Sequence, residues 1–190
     1  APGRVLALLG ANPDAVLWEA TAVTLRASEP DAVAQVDVRL DAAAVTAAPI
    51  DSPDGRVWRV DLDPVALDNG AHRLDVELTY GDDGAVLATA LPFRVAFPTW
   101  AADVTPLYVK RCSACHDAVI GAATVVLEDM SAWTAQIECI LCRVSTPFDP
   151  ERPECMLCAS APSSMPPTGA LFDSEVELIR RWSAGGLRQE

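Results

Sequence analysis

The chain has 190 residues and a formal net charge of −13, from 14 lysines and arginines against 27 aspartates and glutamates. Hydrophobic residues make up 51% of it, which excludes a disordered chain. The acidic balance argues against nucleic acid and anionic membrane surfaces as partners, because little basic charge is available to pair with phosphate. The longest uncharged stretch, residues 155–172, is interrupted by prolines and is shorter than the ~20 apolar residues of a membrane span. We therefore expect no direct membrane insertion.

The two halves of the chain differ in composition. Residues 1–97 contain no cysteine, whereas all six cysteines lie between Cys112 and Cys158. The first part has 7 basic and 15 acidic residues, net −8, and the remainder has 7 basic and 12 acidic residues, net −5. We predict two domains, 1–97 and 98–190.

Several short segments of the first part alternate apolar and polar residues with a period of two. Alternation of this kind predicts strands that are half buried in antiparallel sheets. About seven such strands in this length indicate an all-β sandwich. The clearest segments are 36–40, 58–62, 74–80 and 93–97.

The strand-turn-strand pattern of residues 57–74, with Asn69-Gly70 at its turn, resembles bacterial immunoglobulin-like domains. The resemblance covers most of residues 12–97. It implies a Greek-key sandwich that serves as a spacer or docking module and not as a catalyst. His72 stands at the start of a strand in this pattern, where a lone histidine is more typical of a surface position than of a ligand.

The second part contains the Cys-x-x-Cys-His pattern of c-type haem attachment, at Cys112, Cys115 and His116. Two thiols at this spacing can reach the two vinyl groups of one porphyrin, and the next residue can bind the iron. The alternative interpretation is an ordinary disulfide or a redox dithiol that happens to precede a histidine. We expect one covalent haem c, bound by the two cysteines with His116 as an iron ligand.

The surroundings of the motif predict a helix over 103–111 before it and a second helix over 174–182 after it, with Met165-Pro166-Pro167 in between. With this arrangement, residues 100–187 resemble class I monohaem cytochromes c. The resemblance implies a mainly α cytochrome c fold for residues 98–190, in which the two terminal helices cross. It also implies pocket or packing positions for three aromatic residues, Tyr108, Trp133 and Trp182.

The resemblance further implies that Met165 is the distal ligand of the iron. A thioether is a soft, neutral ligand that raises the reduction potential, and two following prolines would stiffen its loop. The rival methionines are Met130, which we expect to pack in the core, and Met156, which lies between two cysteines.

Four cysteines have no place in this pattern, namely Cys139, Cys142, Cys155 and Cys158. Two disulfides are one interpretation, because haem c is attached in an oxidising compartment. Two facing Cys-x-x-Cys pairs then favour bonds between the pairs over bonds within them. The other interpretations are a four-thiolate zinc or iron site and further haem groups without the usual histidine.

These features predict an exported electron-transfer protein, periplasmic or extracellular, that is not an enzyme. The start at Ala1, without Met, is that expected of a mature chain after removal of a signal peptide. With both axial positions filled, the iron would have no open site for a substrate. The acidic surface predicts a basic redox protein as partner.

Two alternatives remain at the level of the sequence. One is a docking or structural haem subunit of a larger respiratory or photosynthetic complex. The other is a haem sensor or enzyme in which a labile Met165 leaves the iron to a small ligand.

Overall fold

The computed structural model describes residues 4–52, 55–119, 121, 123–145, 149, 151, 155, 158, 164–167 and 169–190. The chain divides into two compact units, Ala1–Ala96 and Phe97–Glu190. We call them the N-terminal and the C-terminal unit.

The N-terminal unit is a β-sandwich of two sheets. One sheet has the strand order β1-β3-β7-β6 and the other the order β2-β9-β8-β4-β5. Strand β2 runs parallel to β9, and the other pairs are antiparallel. The strands are β1 Leu6–Leu9, β2 Ala15–Leu17, β3 Thr21–Ala27, β4 Val33–Leu40, β5 Ala43–Ala44, β6 Ala48–Ser52, β7 Gly55–Leu62, β8 Gly70–Tyr80 and β9 Val86–Val95.

Burial along the strands follows the period of two that the sequence predicted. On β8, the side chains of Leu74, Val76, Leu78 and Tyr80 are almost completely buried, while Glu77 between them is exposed. Since successive side chains of a strand point to opposite faces, one face of β8 supplies the core of the sandwich and the other faces solvent. The predicted β-sandwich is confirmed.

The C-terminal unit begins with a π-helical turn and continues in short helices. The turn runs directly into the first helix, and the predicted helices before the motif and near the end of the chain are both present. The elements are the turn Trp100–Val104, α1 Thr105–Arg111, α2 Ser113–His116, α3 Met130–Val144 and α4 Asp173–Ala184. In the described residues, each of these helices is too short or too polar to cross a membrane.

The predicted mainly α cytochrome c fold of residues 98–190 is wrong. The chain is mainly β, and its helices are few and short, with seven residues in α1 and four in α2. Cys112 leaves the helical backbone at φ −120° and ends α1 after two turns. Helix α4 packs mainly against α3 and the π-helical turn. No large all-α domain is present in the described part of the chain.

An aromatic cluster forms the core of the C-terminal unit. The ring centroids of Trp100 lie 5.7 Å from those of Trp133 and Trp182, and Trp133 contacts Trp182 at 6.3 Å and Tyr108 at 6.4 Å. Edge-on and tilted contacts of this kind are favourable because the positive edge of one ring meets the negative face of the next. Tyr108, Trp133 and Trp182 are packing residues, as predicted, and Trp100 joins them.

Candidate functional site

The Cys-x-x-Cys-His motif lies in one helical turn at the end of α1. The backbone N–H of Cys112 donates to Tyr108 O at 2.8 Å, which anchors the motif to the helix. The N–H groups of Cys115 and His116 both donate to Cys112 O, at 3.1 and 3.0 Å. One turn of backbone therefore holds both thiols and the imidazole.

The chain that follows the motif returns and bonds to it. Leu127 N donates to His116 O at 2.9 Å, and Ala123 N donates to Cys115 O at 2.8 Å. Gly121 permits this close return, because a Cβ there would collide with backbone atoms of the motif turn. Sequence reasoning missed this return, since backbone carbonyls accept hydrogen bonds whatever the side chain.

The His116 ring is held through one nitrogen. Its Nδ1 lies 2.7 Å from Val125 O, and a carbonyl oxygen can only accept, so Nδ1 carries the hydrogen. Nε2 forms no hydrogen bond with any residue that the structure describes. Histidines that bind metals commonly donate their other ring N–H to a backbone carbonyl in this way. The arrangement leaves Nε2 as the ring nitrogen that could bind a metal.

The two cysteines of the motif are free thiols, unlike the other four. Cys112 is half-buried and Cys115 is exposed. Burial, followed by the charge of Glu175, raises the pKa of the Cys112 thiol to about 11, against the lowering effect of Arg111. At neutral pH this cysteine is protonated.

Exposed apolar side chains surround the motif. Val109 precedes it by one helical turn, Val119 and Val125 follow it closely, and Val119 is 90% exposed. Phe172 is also exposed and lies beneath the Arg111 guanidinium, 4.9 Å from its ring centroid. Exposed apolar side chains that lie close together can form part of an interaction or ligand site. The faces of a porphyrin are apolar, so the residues present fit a haem bonded to this turn.

An ion pair fixes the helix that leads into the motif. The Arg111 guanidinium binds the Glu175 carboxylate at 2.9 Å, and the Lys110 ammonium reaches the same carboxylate at 3.3 Å. The Arg111 hydrogen bonds hold the pKa of Glu175 at about 2, although burial acts in the other direction. The pair joins the end of α1 to the first turn of α4.

Of the three methionines, Met165 and Met130 are described and Met156 lies outside the described residues. Met130 begins α3 and packs against the aromatic core, as expected. Met165 is half-buried, and its N–H donates to Arg143 O at 2.8 Å. This bond attaches the Met165 segment to the end of α3 and not to the motif. Its role as an iron ligand stays a prediction.

The remaining four cysteines form two nested disulfides, Cys139–Cys158 and Cys142–Cys155, with Cα–Cα distances of 5.3 and 5.0 Å. The predicted bonds between the two pairs are confirmed. The alternatives of a four-thiolate metal site and of further haem groups at these cysteines are wrong, because all four sulfurs are used. Within the described ranges, no group of three His, Cys, Asp or Glu side chains could hold a metal ion.

Comparisons with known proteins give no family. No protein-family model matches the chain, and no curated protein matches it. Solved structures match it at low identity. An endo-β-1,4-mannanase from Thermotoga petrophila is 12% identical over 50% of this chain, with a TM-score of 0.42. The match spans only 20% of the mannanase.

Two smaller proteins match over nearly their whole length. Fibronectin(III)-like modules of Clostridium thermocellum CbhA are 18% identical over 48% of this chain and 95% of theirs, with a TM-score of 0.35. CopC from Methylosinus trichosporium OB3b is 19% identical over 48% of this chain and 93% of its own, with a TM-score of 0.33.

These findings correct the resemblances drawn from the sequence. The chain is mainly β and carries two disulfides, and the described part of residues 98–190 does not form the expected cytochrome c fold. The assignment to a class I cytochrome c joined to an immunoglobulin-like domain is therefore wrong. A short motif and two helix patterns specify local structure, and they do not determine how the segments between them pack.

Proposed function

We propose that the protein is an exported electron-transfer protein that carries one covalently attached c-type haem at Cys112, Cys115 and His116. The observation that carries the proposal is the state of these three side chains. Both thiols are free in a chain whose other cysteines are all oxidised, and the imidazole is held by Nδ1 with Nε2 left over. Two free thiols and one available imidazole nitrogen are the groups needed to attach a haem through two sulfurs and to bind its iron through one nitrogen.

Each cysteine would give its sulfur to one thioether bond, while the S–H hydrogen passes to the neighbouring vinyl carbon. This addition needs no oxidant, so a protonated Cys112 is no obstacle to it. When bound, a haem supplies one-electron chemistry at iron. The protein's contribution would be to orient Nε2 through Val125 O, to fix α1 through Arg111, and to offer exposed apolar side chains such as Val109 to the group.

Met165 is the second residue that we propose would bind the iron. Its half-buried position and its backbone bond to α3 leave a soft sulfur on an anchored segment. If His116 and Met165 both bind, the iron has no open position, and we therefore propose transfer of electrons without an enzymatic reaction. The disulfides suit an oxidising compartment outside the cytoplasm. The net charge of −13 suits a basic redox protein as partner.

The intact mass of the denatured, non-reduced protein tests the proposal, after expression in a host that attaches haem to exported proteins. We expect the mass of one haem above that of the chain and a loss of four hydrogens for two disulfides. The variant with Cys112→Ala and Cys115→Ala should keep the disulfides and carry no haem. A wild-type protein without added mass, produced where a control c-type protein is loaded, would refute the proposal.

The axial ligand is tested with Met165→Leu, and Met130→Leu is the matched control in the core. We expect loss of the sulfur-to-iron charge-transfer band and new binding of carbon monoxide only in the Met165 variant. Equal spectra for the two variants would exclude Met165 as the ligand. Carbon monoxide binding by the reduced wild type would favour the sensor or enzyme alternative.

A further inference from the structure

The turn between β4 and β5 is a two-residue hairpin turn with a strained backbone. Asp41 and Ala42 have φ values of 49° and 72°, and the flanking Leu40 and Ala43 pair across the turn. Turns with positive φ at both central residues normally contain Asn-Gly, because a Cβ is unfavourable in this region. This turn has no glycine, so other contacts must hold it.

Three hydrogen bonds connect Asp41 to the beginning of β8. Asp41 N donates to Arg73 O at 3.0 Å, and Arg73 N donates to Asp41 Oδ1 at 2.9 Å. The other carboxylate oxygen, Oδ2, lies 2.6 Å from Nδ1 of His72. The strained turn is therefore attached to β8 by its first residue.

Both nitrogens of the His72 ring face acceptors. Nδ1 faces the Asp41 carboxylate, and Nε2 lies 2.8 Å from Asp68 O. A neutral imidazole has one N–H, so both hydrogen bonds exist together only when the ring is protonated. The side chain is 10% exposed and stacks on Phe93 at 5.5 Å, so the ring is largely shielded from solvent although the residue as a whole is only half-buried.

The charged groups near the ring are both acidic. They are the carboxylate of Asp41 in the turn and that of Asp68 in the segment before β8, while β9 presents the Phe93 ring. Burial opposes the charge on the ring, but the hydrogen bonds to Asp41 and Asp68 outweigh burial and raise the pKa of His72. The same bond to His72 lowers the pKa of Asp41.

We propose that His72 is a proton-dependent latch that holds the strained β4–β5 turn closed. Strand β5 is at the edge of its sheet and covers the edge of β4. When His72 loses a proton, one of its two bonds becomes a contact between two acceptors, and the turn is released. Release would expose the unpaired backbone groups of β4, which are able to pair with another strand. This inference does not depend on the proposed haem.

Amide hydrogen exchange measured by NMR tests the latch. The reporter is Val45 N–H, which donates to Val38 O at 3.0 Å beside the turn. We expect its protection factor, corrected for the intrinsic effect of pH, to be constant in acid. As the pH rises from the ordinary histidine value of 6.5 through the raised pKa of His72, it should fall by up to about tenfold per pH unit, since one proton is taken up on closing. Protection that is equal at about pH 5.5 and about pH 8.5 would overturn the proposal.

Two variants separate the latch from the general stability of the sandwich. Asp41→Asn keeps an acceptor for Arg73 N, removes the charge and offers an N–H donor to the neutral ring, so protection should no longer fall as the pH rises. Ala42→Gly removes the strain, and it should raise protection at high pH above that of the wild type. The chain has two histidines, so the titration of His72 is directly resolved by NMR. A His72 pKa that is unchanged in Asp41→Asn would also overturn the latch.

Discussion

The nested disulfides should stabilise the C-terminal unit by restricting its unfolded chain. The size of the effect follows from the lengths of the two loops and from the fact that one lies inside the other. The inner bond, Cys142–Cys155, has a sequence separation of 13, and the outer bond, Cys139–Cys158, a separation of 19. The inner loop of about 14 residues contributes about 3 kcal/mol to the free energy of unfolding on the chain-entropy relation. Once it is closed, the outer bond encloses only about eight further residues and adds about 2.5 kcal/mol.

Removing either disulfide should therefore lower the free energy of unfolding by less than that disulfide would contribute if it were the only one present. Replacing both cysteines of the outer pair by alanine should lower the free energy of unfolding by about 2.5 kcal/mol. For the inner pair the entropic loss is about 2 kcal/mol, since the outer loop alone retains about 3.3 kcal/mol. Cys142 is fully buried, and its truncation adds a cavity cost of about 1 kcal/mol. Removing both bonds should cost about 5.5 kcal/mol before that cavity cost.

Guanidinium unfolding followed by circular dichroism at the helical minimum is the assay. The helices α1 to α4 all lie in the C-terminal unit, so this signal reports on that unit and not on the sandwich. The wild type and the three alanine variants are unfolded over the same range of denaturant concentration. The slope of the unfolding free energy against denaturant concentration is compared as well, because a changed slope would indicate a changed unfolded state. Losses below about 1 kcal/mol for both pairs would refute the entropic reasoning.

Two further predictions concern packing and charge in the C-terminal unit. Glu175→Gln should lower the midpoint of thermal unfolding at neutral pH. Because the pKa of Glu175 is lowered to about 2, its contribution is present above the ordinary value of 4.5 and is lost as the pH falls through about 2. The difference from wild type should thus vanish in strong acid, and a constant difference would contradict the ion pair with Arg111. Gly185→Ala should cost about 1–3 kcal/mol, because the added Cβ overlaps the Phe97 ring. Combining it with Phe97→Leu should recover part of the loss, and no recovery would refute this contact as the cause.

The sequence allowed prediction of the features that depend on local patterns. Alternation over residues 74–80 predicted the buried face of β8, and the spacing of the cysteine pairs favoured the disulfides that form. The motif at 112–116 identified the candidate site, because its chemistry depends on residue types at fixed spacing. Each of these signals spans a few residues.

The features that were missed depend on distant contacts or on backbone atoms. Arg111 and Glu175 are 64 residues apart, and the sequence around one does not indicate that it pairs with the other. His116 is oriented by a carbonyl, which every residue possesses. His72 resembles a surface residue because its partner Asp41 lies 31 residues away. The fold of the C-terminal unit was mispredicted for the same reason, since local helix patterns do not specify packing.

The aromatic core has an optical consequence. Trp100, Trp133 and Trp182 are in mutual contact, and Tyr108 extends the cluster to within one helical turn of Cys112. A strongly absorbing group bonded to that cysteine would accept their excitation energy, so loaded molecules would lose the fluorescence of this cluster while empty ones keep it. If the proposed haem is attached, the fluorescence intensity of these three indoles would report what fraction of the molecules in a preparation carry it.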